Sequence, residues 1–312
     1  MLLVTLHGGK PGTHPHRNNV HAYDSDGKLI SPSVLEDTDG IVLDELRAIR
    51  LFGKLLYVVN ANRTQNSVFC YEGSGTNYRL AGTFVSQSTC KAVLHPFDLT
   101  FDGAGHCYLS SQDTNVVTRL TISADCKTGH PAPLPASLAD GGTLLPGTFV
   151  GSNTANLCGM HTTAVPRPAG LVYTAEGQKK HSVRGVAWTN DALYVVDQPA
   201  GRVKVYDGHG KLVGQSNKVE TPVHLTVHDG HLYVTGANRV LRTKLPNPPG
   251  DFSLSVIPGV HVKNACGMAF SDKGHMYLAS RTGNTILKFD ADFRPMDFHC
   301  ELPDNPEFIV HV

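Results

Sequence analysis

The sequence has no excess of charge of either sign. Its 27 Lys and Arg are matched by 27 Asp and Glu, and charged residues make up only 17% of the 312. A nucleic-acid binder needs a basic footprint to neutralise phosphate, so that class is set aside. No apolar run approaches the roughly 18 residues of a membrane span. The apolar start "MLLVTL" is too short, and lacks the basic residues, for a secretory leader. The expectation is a soluble, cytoplasmic protein with neither nucleic acid nor membrane as partner. The seven cysteines include no Cys-x-x-Cys pair, which fits reduced thiols and argues against a zinc ribbon. Also missing are a Gly-x-Ser-x-Gly elbow, a Gly-rich phosphate loop, a dinucleotide fingerprint and a convincing amphipathic helix.

What the chain does have is repetition. The phrase "NNVHAYD" returns as "NSVFCYE", "NVVTRLT", "GRVKVYD", "NRVLRTK" and "NTILKFD". Upstream of the last five lies an aromatic-bearing phrase: "LLYVVNAN", "CYLSSQD", "LYVVDQP", "LYVTGAN" and "MYLASRT". Upstream again come "LRAIRLFGK", "FDLTFDGAG", "RGVAWTNDA", "HLTVHDGH" and "CGMAFSDKG". Each phrase alternates apolar with polar or small residues, the signature of a strand. The links rich in Gly, Asn and Asp suit hairpin turns, because these residues tolerate positive φ. Four-stranded units recurring at this spacing predict an all-β fold: a six-bladed β-propeller of antiparallel blades. The first unit lacks its innermost strand, and "NPEFIVHV" at the other end supplies one. The C-terminal strand is therefore expected to complete the N-terminal blade and close the ring, which removes an exposed edge. Residues 1–312 read as one propeller domain with insertions at about 7–18 and 134–182. Both insertions fall on the face where inner strands begin, and are expected to form a lid over the channel.

The pattern P-x-x-L-x-V-x-D-G-x-L-Y-V…N-x-V-x-x-Y-D resembles the NHL-repeat and gluconolactonase-like six-bladed propellers over nearly the whole chain. The resemblance implies a fold, not a function. Calcium-dependent lactonases and phosphotriesterases of this fold hold their ion with Glu, Asn, Asn and Asp where inner strands start. Here those places read Arg47, Phe97, Arg184, Val223, Cys266 and Glu307. Two arginines facing a dication are repulsive, so no metal and no cofactor are expected. Six-bladed amidating lyases use histidines around zinc, and His224 with His7, His14 and His16 are the candidates here, but His14 and His16 sit in a loop without a spaced partner pair and suit substrate contact better. Fungal propellers that dehydrate a hydroxymethyl tropolone or guide a hetero-Diels–Alder closure offer an analogy without a shared motif.

The strand starts give two mouth positions per blade: Arg47 and Ala48, Phe97 and Asp98, Arg184 and Gly185, Val223 and His224, Cys266 and Gly267, Glu307 and Phe308. Asn60, Gln112, Asp197, Gln198 and Arg281 end second strands on the same face, and Trp188 lies on an inner strand. Guanidinium forks suit a carboxylate or an enolised oxygen, and His moves protons near neutral pH. The expected roles are proton transfer by His224 with Asp98 or Glu307, and substrate binding by Arg47, Arg184, Arg281, Asn60, Asp197, Gln198, His14, His16 and Trp188. The partner is then a small acidic or carbonyl-bearing molecule that undergoes elimination or dehydration, isomerisation or cyclisation. Two alternatives stand beside this: a non-catalytic disc that binds a protein or metabolite, and a metal-dependent hydrolase or lyase. Cys266 is a possible nucleophile or a small buried apolar residue. Histidines of the opposite face, such as His228 and His231, are expected to be spectators.

Overall fold

The structure, a computed structural model, describes residues 1–8, 19–62, 64–133, 144–151 and 182–312. Six antiparallel sheets form the blades of a propeller. From the axis outward, blade 1 is Pro306–His311, Leu2–Leu6, Val20–Tyr23 and Leu29–Ser31. Blades 2 to 6 have inner strands Leu46–Phe52, Pro96–Phe101, Val183–Thr189, Pro222–His228 and Ala265–Phe270. Successive inner strands pack side by side around the axis, and Pro306–His311 lies between those of blades 6 and 2, which closes the ring. The C-terminal strand pairs with the N-terminal one, Thr5 opposite Phe308. The two recurring phrases near the chain's ends are thus third strands of adjacent blades, Val20–Tyr23 and Thr285–Phe289.

The core lies between the blades. The aromatic of each second-strand phrase, Tyr57, Tyr108, Tyr194, Tyr233 and Tyr277, is buried against a neighbouring sheet. Tyr57 meets Phe101 of blade 3 at 4.8 Å and Tyr108 stacks on Trp188 of blade 4 at 4.8 Å. Such rings combine a large buried area with a preferred mutual geometry.

Blade 3 departs from the expected four strands. Thr148–Gly151, inside the stretch read as a loop, is a buried strand that pairs with Val116–Thr118, while Gly129–Pro131 pairs with Leu120–Ile122. Two short strands thus share one edge. The segment "GTFVG" lies within the expected insertion at 134–182, and burial of Phe149 and Val150 makes it a strand. Most of the proposed lid, including His14 and His16, lies outside the described residues. Among the described residues no helix is long and apolar enough to cross a membrane.

Candidate functional site at the channel mouth

Every inner strand breaks its pairing register at its start. Leu46 faces Asn60, yet Ile49 faces Val58; the same slip of one residue recurs in the other five blades. These are β-bulges, which re-aim side chains and leave backbone unpaired. The two mouth positions read from the sequence are the bulge residues. Their second members alternate in size around the ring: Phe308, Asp98 and His224 in blades 1, 3 and 5, and Ala48, Gly185 and Gly267 between them. Close packing near the axis leaves no room for six large groups. A Cβ on Gly267 would lie 2.5 Å from Glu307 O and 2.6 Å from Phe308 Cα, so only glycine permits that approach. Where the large residues sit, a hydroxyl on the second strand serves the bulge backbone. Thr5, Ser110 and Thr235 accept the N–H of Phe308, Asp98 and His224 at 3.0, 3.1 and 3.1 Å.

The first members of the bulges, Arg47, Phe97, Arg184, Val223, Cys266 and Glu307, line a cavity of about 220 Å³ at the upper mouth, joined by Gln198, Arg281 and the residues just before two strands. Glu307 is 3% exposed and, among the described residues, is the only carboxylate lining this cavity. Arg47 Nη1 donates to it at 3.3 Å, and Arg281 Nε lies 2.7 Å away, an ion pair by distance whose N–H does not point along it. Burial alone would push the Glu307 carboxyl up, but Arg47, Arg281, His7 and Arg184 together hold it below its ordinary value. Arg47 Nη2 also reaches His7 Nε2, Glu45 and His95 Nε2 at 3.2, 3.2 and 3.3 Å. The His7 imidazole is pushed down by burial and then by Arg47, so it stays neutral and accepts.

Arg184 is placed differently. Its guanidinium donates only to amide oxygens, Gln198 Oε1 at 3.0 Å and Gln112 Oε1, and stands 5.1 Å over the Phe97 ring. No carboxylate of the described residues pairs with it. Burial, and then the charge of Arg47, bring its pKa down to about 10, still cationic at neutral pH. The backbone around the mouth carries strain as well. Glu45, His95, Thr221 and Asn264 each precede an inner strand with φ between 45° and 53°, a conformation unusual for non-glycine residues and most of all for β-branched Thr.

Below the mouth the channel is plugged. Phe308 meets Phe97 at 5.3 Å and the His224 ring edge-on at 4.9 Å. Arg50, from blade 2, reaches across the axis: its Nη2 donates to Asp98 Oδ1 at 2.9 Å and to His224 Nε2 at 3.2 Å. Asp98 is fully buried and also accepts the N–H groups of Leu99 and Val186. Burial drives its carboxyl up to about 6 despite Arg50. Burial, reinforced by Arg50, drives the His224 imidazole well down, so it is neutral with its proton on Nδ1, which has no hydrogen-bond partner.

The sequence-predicted residues therefore fall into four places. Arg47, Arg184, Arg281, Gln198 and Glu307 meet at the upper cavity. Asp98 and His224 meet each other's partner, Arg50, in the plug, and neither lines that cavity. Asn60 and Asp197 serve their own blades: Asn60 accepts the Asp44 N–H at 2.9 Å, and Asp197 pairs with Lys204 at 2.8 Å. Trp188 lies on the wall of the opposite mouth. Sequence reasoning missed Arg50, Glu45 and His95; the position of Glu45 and His95 directly before two inner strands was the available signal, while His7, weighed as a metal ligand, instead accepts from Arg47. Cys266 is buried, its thiol donating to Pro306 O at 3.1 Å, and burial pushes its pKa far up, away from nucleophile chemistry. The donor set does not fit calcium, since among the described residues the cavity is lined by one carboxylate, and two arginines already share it. Among the described residues no group of three His, Cys, Asp or Glu is placed to hold a metal ion.

No protein-family model matches the sequence. No curated protein matches it. Solved structures match in fold. A chain of the nidogen/laminin complex is 14% identical with TM-score 0.59, over 99% of this chain and 97% of that one. A protein from Lactobacillus plantarum is 17% identical with TM-score 0.59, over 95% and 80%. The periplasmic gluconolactonase PpgL of Pseudomonas aeruginosa is 13% identical with TM-score 0.57, over 99% and 97%. At these identities the likeness is one of fold: this chain is a six-bladed β-propeller of the architecture that gluconolactonase-like enzymes share.

Proposed function

We propose that the upper mouth binds a small organic molecule carrying a carboxylate or polarised carbonyl, and that the protein acts on it by proton transfer without a cofactor, as an elimination or dehydration, isomerisation or cyclisation. The observation that carries this reading is Arg184: a cation on the cavity wall whose described partners are neutral amides. A bound anion supplies the missing counter-charge, and the planar fork favours a carboxylate or an enolate-like oxygen. The guanidiniums of Arg47, Arg184 and Arg281, set against Glu307 and the Glu45 that Arg47 also meets, leave one cation in excess within this group, which stabilises negative charge that develops on a substrate carbonyl. Glu307 is the carboxylate in reach of such a ligand and is ionised at neutral pH, so it takes the role of base, with Arg47 and Arg281 fixing its position. His224 and Asp98 act through the plug as positioning residues for the inner strands. That a periplasmic gluconolactonase shares the architecture supports a small-molecule role for the protein.

The test is calorimetric titration of small carboxylic and keto acids, followed by incubation of each binder in D2O with NMR detection of α-proton exchange. Saturable binding is expected, weakened at least 10-fold by Arg184→Gln, with exchange lost in Glu307→Gln. The mutual pairing of Arg47, Arg281 and Glu307 favours one second reading, a disc that binds without catalysis. Binding without exchange would select that reading; absence of any binder would sink the first.

A further inference from the structure

Beneath the plug the channel opens into a second cavity of about 400 Å³, lined by the far halves of the inner strands. Neither the sequence motifs nor the reading of the upper mouth uses it. Two of its rings are held flat by the protein: Trp188 lies parallel to Tyr108, 4.8 Å away at 10°, and His228 parallel to Phe270, 4.2 Å away at 3°. Val186, Leu225 and Met268 supply apolar wall between them.

The closed end holds one charged group, Arg50, whose side chain is 22% exposed. Its Nη2 is fixed by Asp98 and His224, and its Nε donates to Leu99 O at 3.3 Å. Nη1 has only the carbonyl of the preceding residue, Ile49, at 3.4 Å. The fork is immobilised without being saturated, so a ligand oxygen bound there costs little side-chain entropy. Mostly apolar, aromatic walls around one fixed polar group, in a space of this volume, are the make-up of a small-molecule site.

We infer that this lower cavity is a second binding site, independent of the upper mouth, for a small flat carboxylic acid of the aryl type, its carboxylate on Arg50 and its ring along the Trp188 and His228 walls. Pre-set ring planes favour a planar ligand over a branched one of equal size.

Trp188 is the single tryptophan of the chain, so its emission reports this cavity. Benzoate and 3-phenylpropionate are titrated against the full-length protein beside the corresponding amides, which keep the shape and lose the charge. A saturable change in Trp188 emission is expected with the acids, at least 10-fold weaker with the amides. Arg281→Gln and Arg184→Gln, in the upper mouth, should leave the response unchanged, which separates this site from the one proposed above. Thr226→Phe fills the lower cavity while keeping the Arg50–Asp98 pair, and should abolish the response; Arg50→Gln should do the same. The wild-type comparison of acid with amide decides the matter if either variant fails to fold. No saturable change, equal response to acids and amides, or a response retained in folded Thr226→Phe overturns the inference.

Discussion

Asp98 and Glu307 occupy adjacent positions of equivalent bulges, and both are almost fully buried. They nevertheless titrate in opposite directions. In the plug, Asp98 shares a single cation, Arg50, with His224, and burial prevails. At the mouth, Glu307 faces Arg47, Arg281 and Arg184, and their charges prevail over the same burial. The number of cations, not the depth, sets the protonation state. The plug thus ties its one cation to Asp98 and His224, while at the mouth Arg184 has only amide partners among the described residues.

Breaking the plug should cost the most. Asp98→Ala strands Arg50 and two backbone N–H groups in the interior, and a loss of about 3–5 kcal/mol is expected for a broken buried pair. Urea unfolding measures it; a loss below about 1 kcal/mol would show that the plug is not the stabilising unit described here.

The two carboxylates should next give opposite pH slopes. A raised pKa means that the folded state holds the proton more tightly, so Asp98 contributes stability that is present below its ordinary value of 3.8 and lost as pH rises through about 6. The difference between wild type and Asp98→Asn should therefore fall across that window by up to about 3 kcal/mol. His224, pushed down, works the other way, its contribution being present above the ordinary 6.5 and lost progressively as pH falls below it toward the lowered folded value, so only the difference against the variant isolates Asp98. For Glu307 the lowered pKa predicts that the difference between wild type and Glu307→Gln is present above 4.5 and shrinks as pH falls. Parallel slopes for the two variants would contradict the comparison.

Gly267→Ala pushes a methyl into the Glu307–Phe308 backbone, where mouth and plug join. A loss of about 1–3 kcal/mol is expected from the forced shift, with a larger effect on ligand binding at the mouth than the fold loss alone explains. Gly185→Ala, whose nearest contact is 2.9 Å from Leu225 N, should cost less. The smallest change is expected for Arg281→Gln. Its side chain is 36% exposed, so thermal unfolding should move by less than about 1 kcal/mol, while affinity for small acids at the mouth falls.

The placement of the ten sequence-predicted residues that lie among the described ones shows how far pattern reading reaches. Arg47, Arg184 and Glu307 were legible because each opens a strand whose apolar alternation is unmistakable. Asp98 and His224 were legible as mouth residues but not as plug residues. A bulge sets two residues against one, so the period-two rule that assigns faces fails at that point. Arg50 was invisible for a related reason. Within its own strand it looks like an ordinary polar residue, and its partners come from blades 3 and 5, 48 and 174 residues along the chain.

The sequence by itself determined the strands of the repeating phrases, the six-fold repeat and the closure by the C-terminal strand, but not the strand Thr148–Gly151. The first three follow from local periodicity and turn chemistry. Tertiary structure alone decided that the channel is divided, that Arg50 ties Asp98 to His224 across the axis, and that Arg184 is left with only amide partners among the described residues. Those outcomes depend on which side chains meet at the centre of a closed ring. Proximity there arises from all six blades at once, and no local segment of the chain encodes it.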